Sequence, residues 1–84
     1  MKLSVEISLY PLADDFIPPI EEVIQAFHQY DDIQVVTNSM STQLYGDYER
    51  VMEILDVEMR RSFARHGRAV FVAKFIAGDV RELA

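Results

Sequence analysis

Cysteine is missing altogether from this 84-residue sequence, and with it any disulfide framework, thiol catalysis or zinc knuckle. Glycine is scarce, with three residues at Gly46, Gly67 and Gly78, so no Gly-rich loop is available to cradle a phosphate. Positive charge is also in short supply. Eight Lys and Arg against fourteen Asp and Glu leave a formal charge of −6, and the basic residues are scattered apart from Arg60 and Arg61. Nucleic acid and an anionic membrane surface are therefore not expected as partners, since phosphate is held by clustered cations. Nor is there an apolar run long enough to span a bilayer or serve as a signal peptide, which leads to the expectation of a cytoplasmic chain without membrane insertion.

What is present is an ordinary globular balance, 50% hydrophobic and 26% charged, with no low-complexity tract. The length suits one domain over residues 1–84. A chain this short buries only about 60% of its unfolded surface, so self-association into a homodimer or homotetramer is expected.

From Lys2 to Tyr10, Leu3, Val5, Ile7 and Leu9 alternate with Lys2, Ser4, Glu6 and Ser8, the period of a strand covered on one face. Pro11 closes it. Ile20, Val23, Ile24 and Phe27 then recur at helical spacing, predicting a helix from near Pro19 to Tyr30, with Glu21 and Glu22 at its positive start. Two short strands are expected at Ile33–Thr37 and Met40–Tyr45, turning at Asn38 and Ser39, with Gly46 breaking the second. Asp47 is placed to cap a second helix whose apolar side is Tyr48, Val51, Met52, Leu55, Met59 and Phe63, ending at His66 and Gly67. A last strand is expected from Arg68 to Ile76.

This order predicts an α+β fold, a ferredoxin-like βαββαβ sandwich with an antiparallel sheet of order 4-1-3-2 and two helices on one face. The other face is expected to be open, with Glu6 beside Lys74 among Val70, Val72 and Ile76. A patch of that kind is rarely left uncovered, and a face-to-face dimer would cover it.

Catalytic constellations are absent from the pattern. His28 and His66 have no second ligand at metal spacing. The pairs Asp14/Asp15, Glu21/Glu22 and Asp31/Asp32 suit solvated loop and helix-start positions, and Ser41 and Thr42 have no sequence-local base. The reading is therefore not an enzyme, with no cofactor and no metal.

The polar run from Asn38 to Thr42 is the feature that needs an account. In the expected order the start of the third strand lies beside the end of the first, bringing Ser41 and Thr42 close to Leu9 and Tyr10. Thr42 would then point a hydroxyl into an apolar space, where an unpartnered group costs about 1–3 kcal/mol. It needs either an internal acceptor or a ligand.

The stretches "ISLYPLADDFIPPIEEVI", "NSMSTQLYGDYERVM" and "AVFVAKFIAGD" resemble the YkoF-like thiamin/hydroxymethylpyrimidine-binding family, in which an S-L-Y-P turn with D-D-F precedes an S-T strand start leading to a glycine. The resemblance implies non-catalytic binding of thiamin or its hydroxymethylpyrimidine moiety, linked to precursor uptake or salvage, with contacts at Leu9 and Thr42. Ser41, Tyr10 and Phe16 are expected to complete the site, and Asp14 and Asp15 to favour the thiamin cation. Two-repeat members of the family carry a pair of sheets in one chain, and a homodimer of this single repeat would restore that pair. The alternative is a regulatory or structural module that assembles through its open sheet face.

Overall fold

The alternating N-terminal stretch forms β1, Lys2–Pro11, the strand around which the sheet is built. In this computed structural model, which describes residues 1–83, there follow α1 (Ile17–His28), β2 (Gln34–Thr37), β3 (Thr42–Asp47), α2 (Tyr48–His66), β4 (Ala69–Ala77) and a 3₁₀ turn at Val80–Leu83. Ala84, the last residue of the expected domain, lies outside the described residues. The four strands make one antiparallel sheet in the order β2-β3-β1-β4, which is the expected 4-1-3-2 read from the other edge. Both helices pack on the face that carries Leu3, Val5, Ile7 and Leu9. These meet Val23 and Phe27 of α1, Leu44 of β3, and Val51, Ile54 and Leu55 of α2 in one core. Each such aliphatic side chain, fully buried, contributes roughly 1.5–3 kcal/mol.

Several local expectations are corrected by what packs against what. α1 starts at Ile17, so Pro18 and Pro19 fall in its first turn, where a missing N–H costs nothing. Glu21 and Glu22 therefore lie past the first turn, and Glu22 pairs with Arg65 at 2.9 Å and His66 at 3.0 Å of α2. Asp47 occupies the N-cap of α2 without a capping hydrogen bond. Its carboxylate meets Lys2 Nζ at 2.9 Å, which holds it below the usual carboxylate range, and the Tyr48 N–H donates to the Met1 carbonyl at 2.9 Å.

The buried face of α2 is Val51, Ile54, Leu55, Glu58 and Ser62. Tyr48, Met52 and Phe63, expected inside, are substantially exposed. The helix is turned so that a carboxylate only 2% exposed, Glu58, enters the interface. It is tolerated there because Tyr30 donates its O–H at 2.6 Å and Arg61 Nη1 donates at 3.3 Å. Phe63 instead packs edge-on against Phe71, with ring centroids 5.4 Å apart.

Gly46 does not break β3. It is a strand residue opposite Leu3, and a Cβ there would stand 2.8 Å from Ile33 Cγ2. The glycine is required by close approach of the Ile33 side chain. The C-terminal 3₁₀ turn covers one end of the sheet face opposite the helices: Ser4 Oγ donates to the Gly78 carbonyl at 2.8 Å and accepts the Val80 N–H at 3.1 Å. Ser4, expected to be exposed, is therefore buried. Among the described residues no helix is long and apolar enough to cross a membrane.

Two substitutions test this packing. Gly46→Ala should destabilise the fold by about 1–3 kcal/mol through overpacking against Ile33, read as a lowered urea midpoint; an unchanged midpoint would show that Ile33 yields freely. Tyr30→Phe should cost about 1–3 kcal/mol by leaving Glu58 short of a donor. The carboxylate that accepts the Tyr30 O–H also raises the phenol above its ordinary value. The stability from this bond is thus fully present below about pH 10, the unfolded phenol value, and is lost as pH rises through the raised folded value. The gap between wild type and Tyr30→Phe should close in that alkaline window, and a gap constant with pH would exclude the bond as its source.

Candidate functional site

β1 is longer than the strand beside it. Its last ladder partner on β3 is Thr42, opposite Ile7, while on the other side it stays paired with β4 as far as Pro11 opposite Ala69. Ser8, Leu9 and Tyr10 consequently have a strand on one side only. β3 starts late because Asn38 closes the hairpin loop. Its Oδ1 accepts the Met40 N–H at 2.8 Å and the Ser41 N–H at 3.1 Å, and its own N–H donates to the Ser41 carbonyl at 3.0 Å. The turn therefore spans Asn38–Ser41 instead of two residues, and Met40, expected in the strand, is 85% exposed at its tip.

The gap left beside β1 is a cleft of about 200 Å³. Leu9 and Ile7 form its floor; Ile20, Val23, Ile24 and Phe27 of α1 wall one side; the loop Asn38–Thr42 walls another, with Phe71 of β4 and Tyr10 at its edges. It is an apolar hollow with a few polar groups along the hairpin side, the usual make-up of a small-molecule pocket.

Thr42 is 4% exposed and lies on the helix-facing side with Ile7, as the alternation requires. Its hydroxyl has found an internal partner that is not backbone. Thr37, directly opposite across the hairpin, meets it Oγ1 to Oγ1 at 3.1 Å, and Thr37 in turn meets His28 Nε2 at 3.0 Å. A hydroxyl offers one proton and two lone pairs, so this single contact leaves Thr42 with bonding capacity toward the cleft.

The sequence-expected residues divide between two groups. Leu9, Tyr10, Ser41 and Thr42 all line the cleft. The Ser41 hydroxyl, however, is turned to the opposite sheet face, donating to Glu6 Oε2 at 2.9 Å and accepting from Gln43 Nε2 at 2.8 Å. Phe16, Asp14 and Asp15 are exposed and form no part of the cleft wall. The reason is that the chain stays zipped to the β4 side past the end of β1, with the Leu12 N–H donating to the Arg68 carbonyl at 3.2 Å, which carries the following loop out along that edge.

The profile of the YKOF-related family matches residues 2–78. The chain belongs to that family. Solved structures share the fold: a Streptococcus pneumoniae protein at 22% identity and a TM-score of 0.87, covering 99% of this chain and 93% of its own. A proposed thiamine biosynthesis/salvage protein from Thermotoga maritima follows at 18% identity and 0.84, covering 93% and 85%. A hypothetical protein from Methanocaldococcus jannascii stands at 25% identity and 0.78, covering 93% and 81%. No match was found among functionally curated proteins.

In this YKOF-related chain the residues that sequence reasoning missed are Thr37, His28 and the α1 wall of the cleft. Thr37 could have been found from the hairpin register, because a four-residue turn over Asn38–Ser41 sets Thr37 opposite Thr42. His28 carries no comparable signal. Its link to Thr37 arises only when the end of α1 packs beside the end of β2.

Proposed function

We propose that this ferredoxin-like module is a non-catalytic binder of the hydroxymethylpyrimidine ring, free or as part of thiamin, acting in thiamin precursor uptake or salvage. The observation that carries the reading is the buried Thr42 hydroxyl with spare bonding capacity, held at the wall of an otherwise apolar cleft. A volume of about 200 Å³ falls below the roughly 300–1,000 Å³ of pockets that enclose drug-sized ligands. It suits a single ring. The aminopyrimidine would stack against Leu9 and Phe27, hydrogen-bond to Thr42, and find spare backbone groups on the unpaired edge of Ser8–Tyr10. The thiazolium half of thiamin would remain outside, in the field of a chain carrying −6. Family membership and the thiamine-related fold neighbour support the ligand class. Non-catalytic action is the reading taken here because, among the described residues, His28 meets Thr37 and not Thr42, and a hydroxyl nucleophile needs a base in direct contact.

A second reading concerns assembly. On the face opposite the helices, Glu6 meets Lys74 at 3.5 Å, and around them Val36, Val70, Val72 and Ile76 are each about half exposed. Such a patch fits a sheet-to-sheet homodimer or homotetramer.

Thr42→Val should keep the fold and lose hydroxymethylpyrimidine affinity by tenfold or more, about the worth of one buried hydrogen bond, in calorimetric titration against wild type. Equal affinity would remove Thr42 from the site, and no heat with wild type would remove the ligand. For the assembly, Lys74→Glu sets a like charge beside Glu6 and should shift a dimer toward monomer in sedimentation velocity. A wild type that sediments as a monomer at all concentrations would end the assembly reading.

A further inference from the structure

A chain of three side chains runs from the protein surface to the cleft: His28 and Thr37, both exposed, and buried Thr42, at 3.0 and 3.1 Å. Each hydroxyl owns one proton, so the direction of one bond constrains the next. When His28 Nε2 is bare, Thr37 donates to it. Thr37 is then an acceptor only for Thr42, the Thr42 proton is spent on Thr37, and Thr42 shows only lone pairs to the cleft. When Nε2 carries a proton it donates to Thr37. That frees Thr37 to donate to Thr42, and the Thr42 proton can turn toward a guest.

We propose that His28, outside the cleft, sets the hydrogen-bond polarity of Thr42 and thereby decides whether the site selects a donor or an acceptor edge on its ligand. His28 is a positioning residue in this scheme and touches no ligand. The inference rests on the pyrimidine reading above and deepens it. Along the same edge an aminopyrimidine offers a ring-nitrogen acceptor and an amino donor, whereas the corresponding pyrimidinone offers a ring N–H donor and a carbonyl acceptor. The two are inverted at both atoms, so a polarity switch at Thr42 must change their ratio whichever atom it meets.

The test locks the relay in each direction. His28→Glu offers an acceptor only and mimics bare Nε2; His28→Lys offers donors only and mimics the protonated nitrogen. Calorimetry in mildly alkaline buffer, where hydroxymethylpyrimidine and its oxo counterpart are both uncharged, should give amino-to-oxo affinity ratios that differ about tenfold or more between the two variants. Because the probes are neutral, the charge introduced at the surface cancels in the ratio. Equal ratios in the two variants overturn the inference. A readout without ligand accompanies it: Thr37→Val should move the ring-nitrogen NMR shifts of His28 in the free protein, and unmoved shifts overturn the relay itself. Moved shifts with no binding of either probe to wild type overturn the pyrimidine reading, and this inference with it, while leaving the hydrogen-bond chain in place.

Discussion

The structure depends on unequal pairing of its central strand. β1 has β4 along almost its whole length and β3 along only part of it, from Lys2 to Ile7. In a sheet every backbone group seeks a partner, and a long central strand flanked by a short neighbour leaves an edge inside the molecule instead of at its rim. Here α1 roofs that edge and the Asn38–Ser41 loop closes its side. The same Asx-type bonds that stop β3 from starting earlier therefore create the cleft, and the hydroxyl that lines it is the first residue after the loop.

The two faces of the sheet divide the work of the polar hairpin. Ser41 and Thr42 are neighbours in the chain, yet the alternation of a strand sends their hydroxyls to opposite sides. Ser41 joins Glu6, Gln43 and Lys74 on the outer face, and Thr42 joins Thr37 on the inner one. The polar run is thus two separate devices, one tied to the outer sheet face and one to the cleft. The helices that cover the inner face are tied to each other by polar pairs: Glu58 of α2 is held by Tyr30 just past α1, and Glu22 of α1 by Arg65 and His66 of α2.

Much of this was legible because strand alternation has a period of two. A two-residue turn at Asn38 and Ser39, as the residue types suggest, opposes Thr37 to Met40, whereas the observed register opposes Thr37 to Thr42. The error is two residues, and a shift by an even number preserves the face, so Thr42 still pointed inward beside the end of β1. Helix faces gave no such protection. On α2 a small rotation exchanged Met52 and Phe63 for Ile54, Glu58 and Ser62, since a carboxylate reads as solvent-facing until a donor such as Tyr30 is known to lie opposite it. The acidic loop residues Asp14 and Asp15 looked near the site in chain terms, and the continued pairing of Leu12 with Arg68 carried the loop along the other edge.

By itself the sequence determined the element order, the antiparallel sheet with its helices on one side, and the inward placement of Leu9 and Thr42, because each follows from local periodicity and from the few ways such elements can pack. Tertiary structure decided the rest. Where β3 begins, which side of α2 is buried, why Gly46 must lack a side chain beside Ile33, and how His28 reaches Thr42 all depend on contacts between segments far apart in the chain. Those contacts fix distances of a few ångströms, and no pattern of residue types along a strand or helix encodes a distance across the fold.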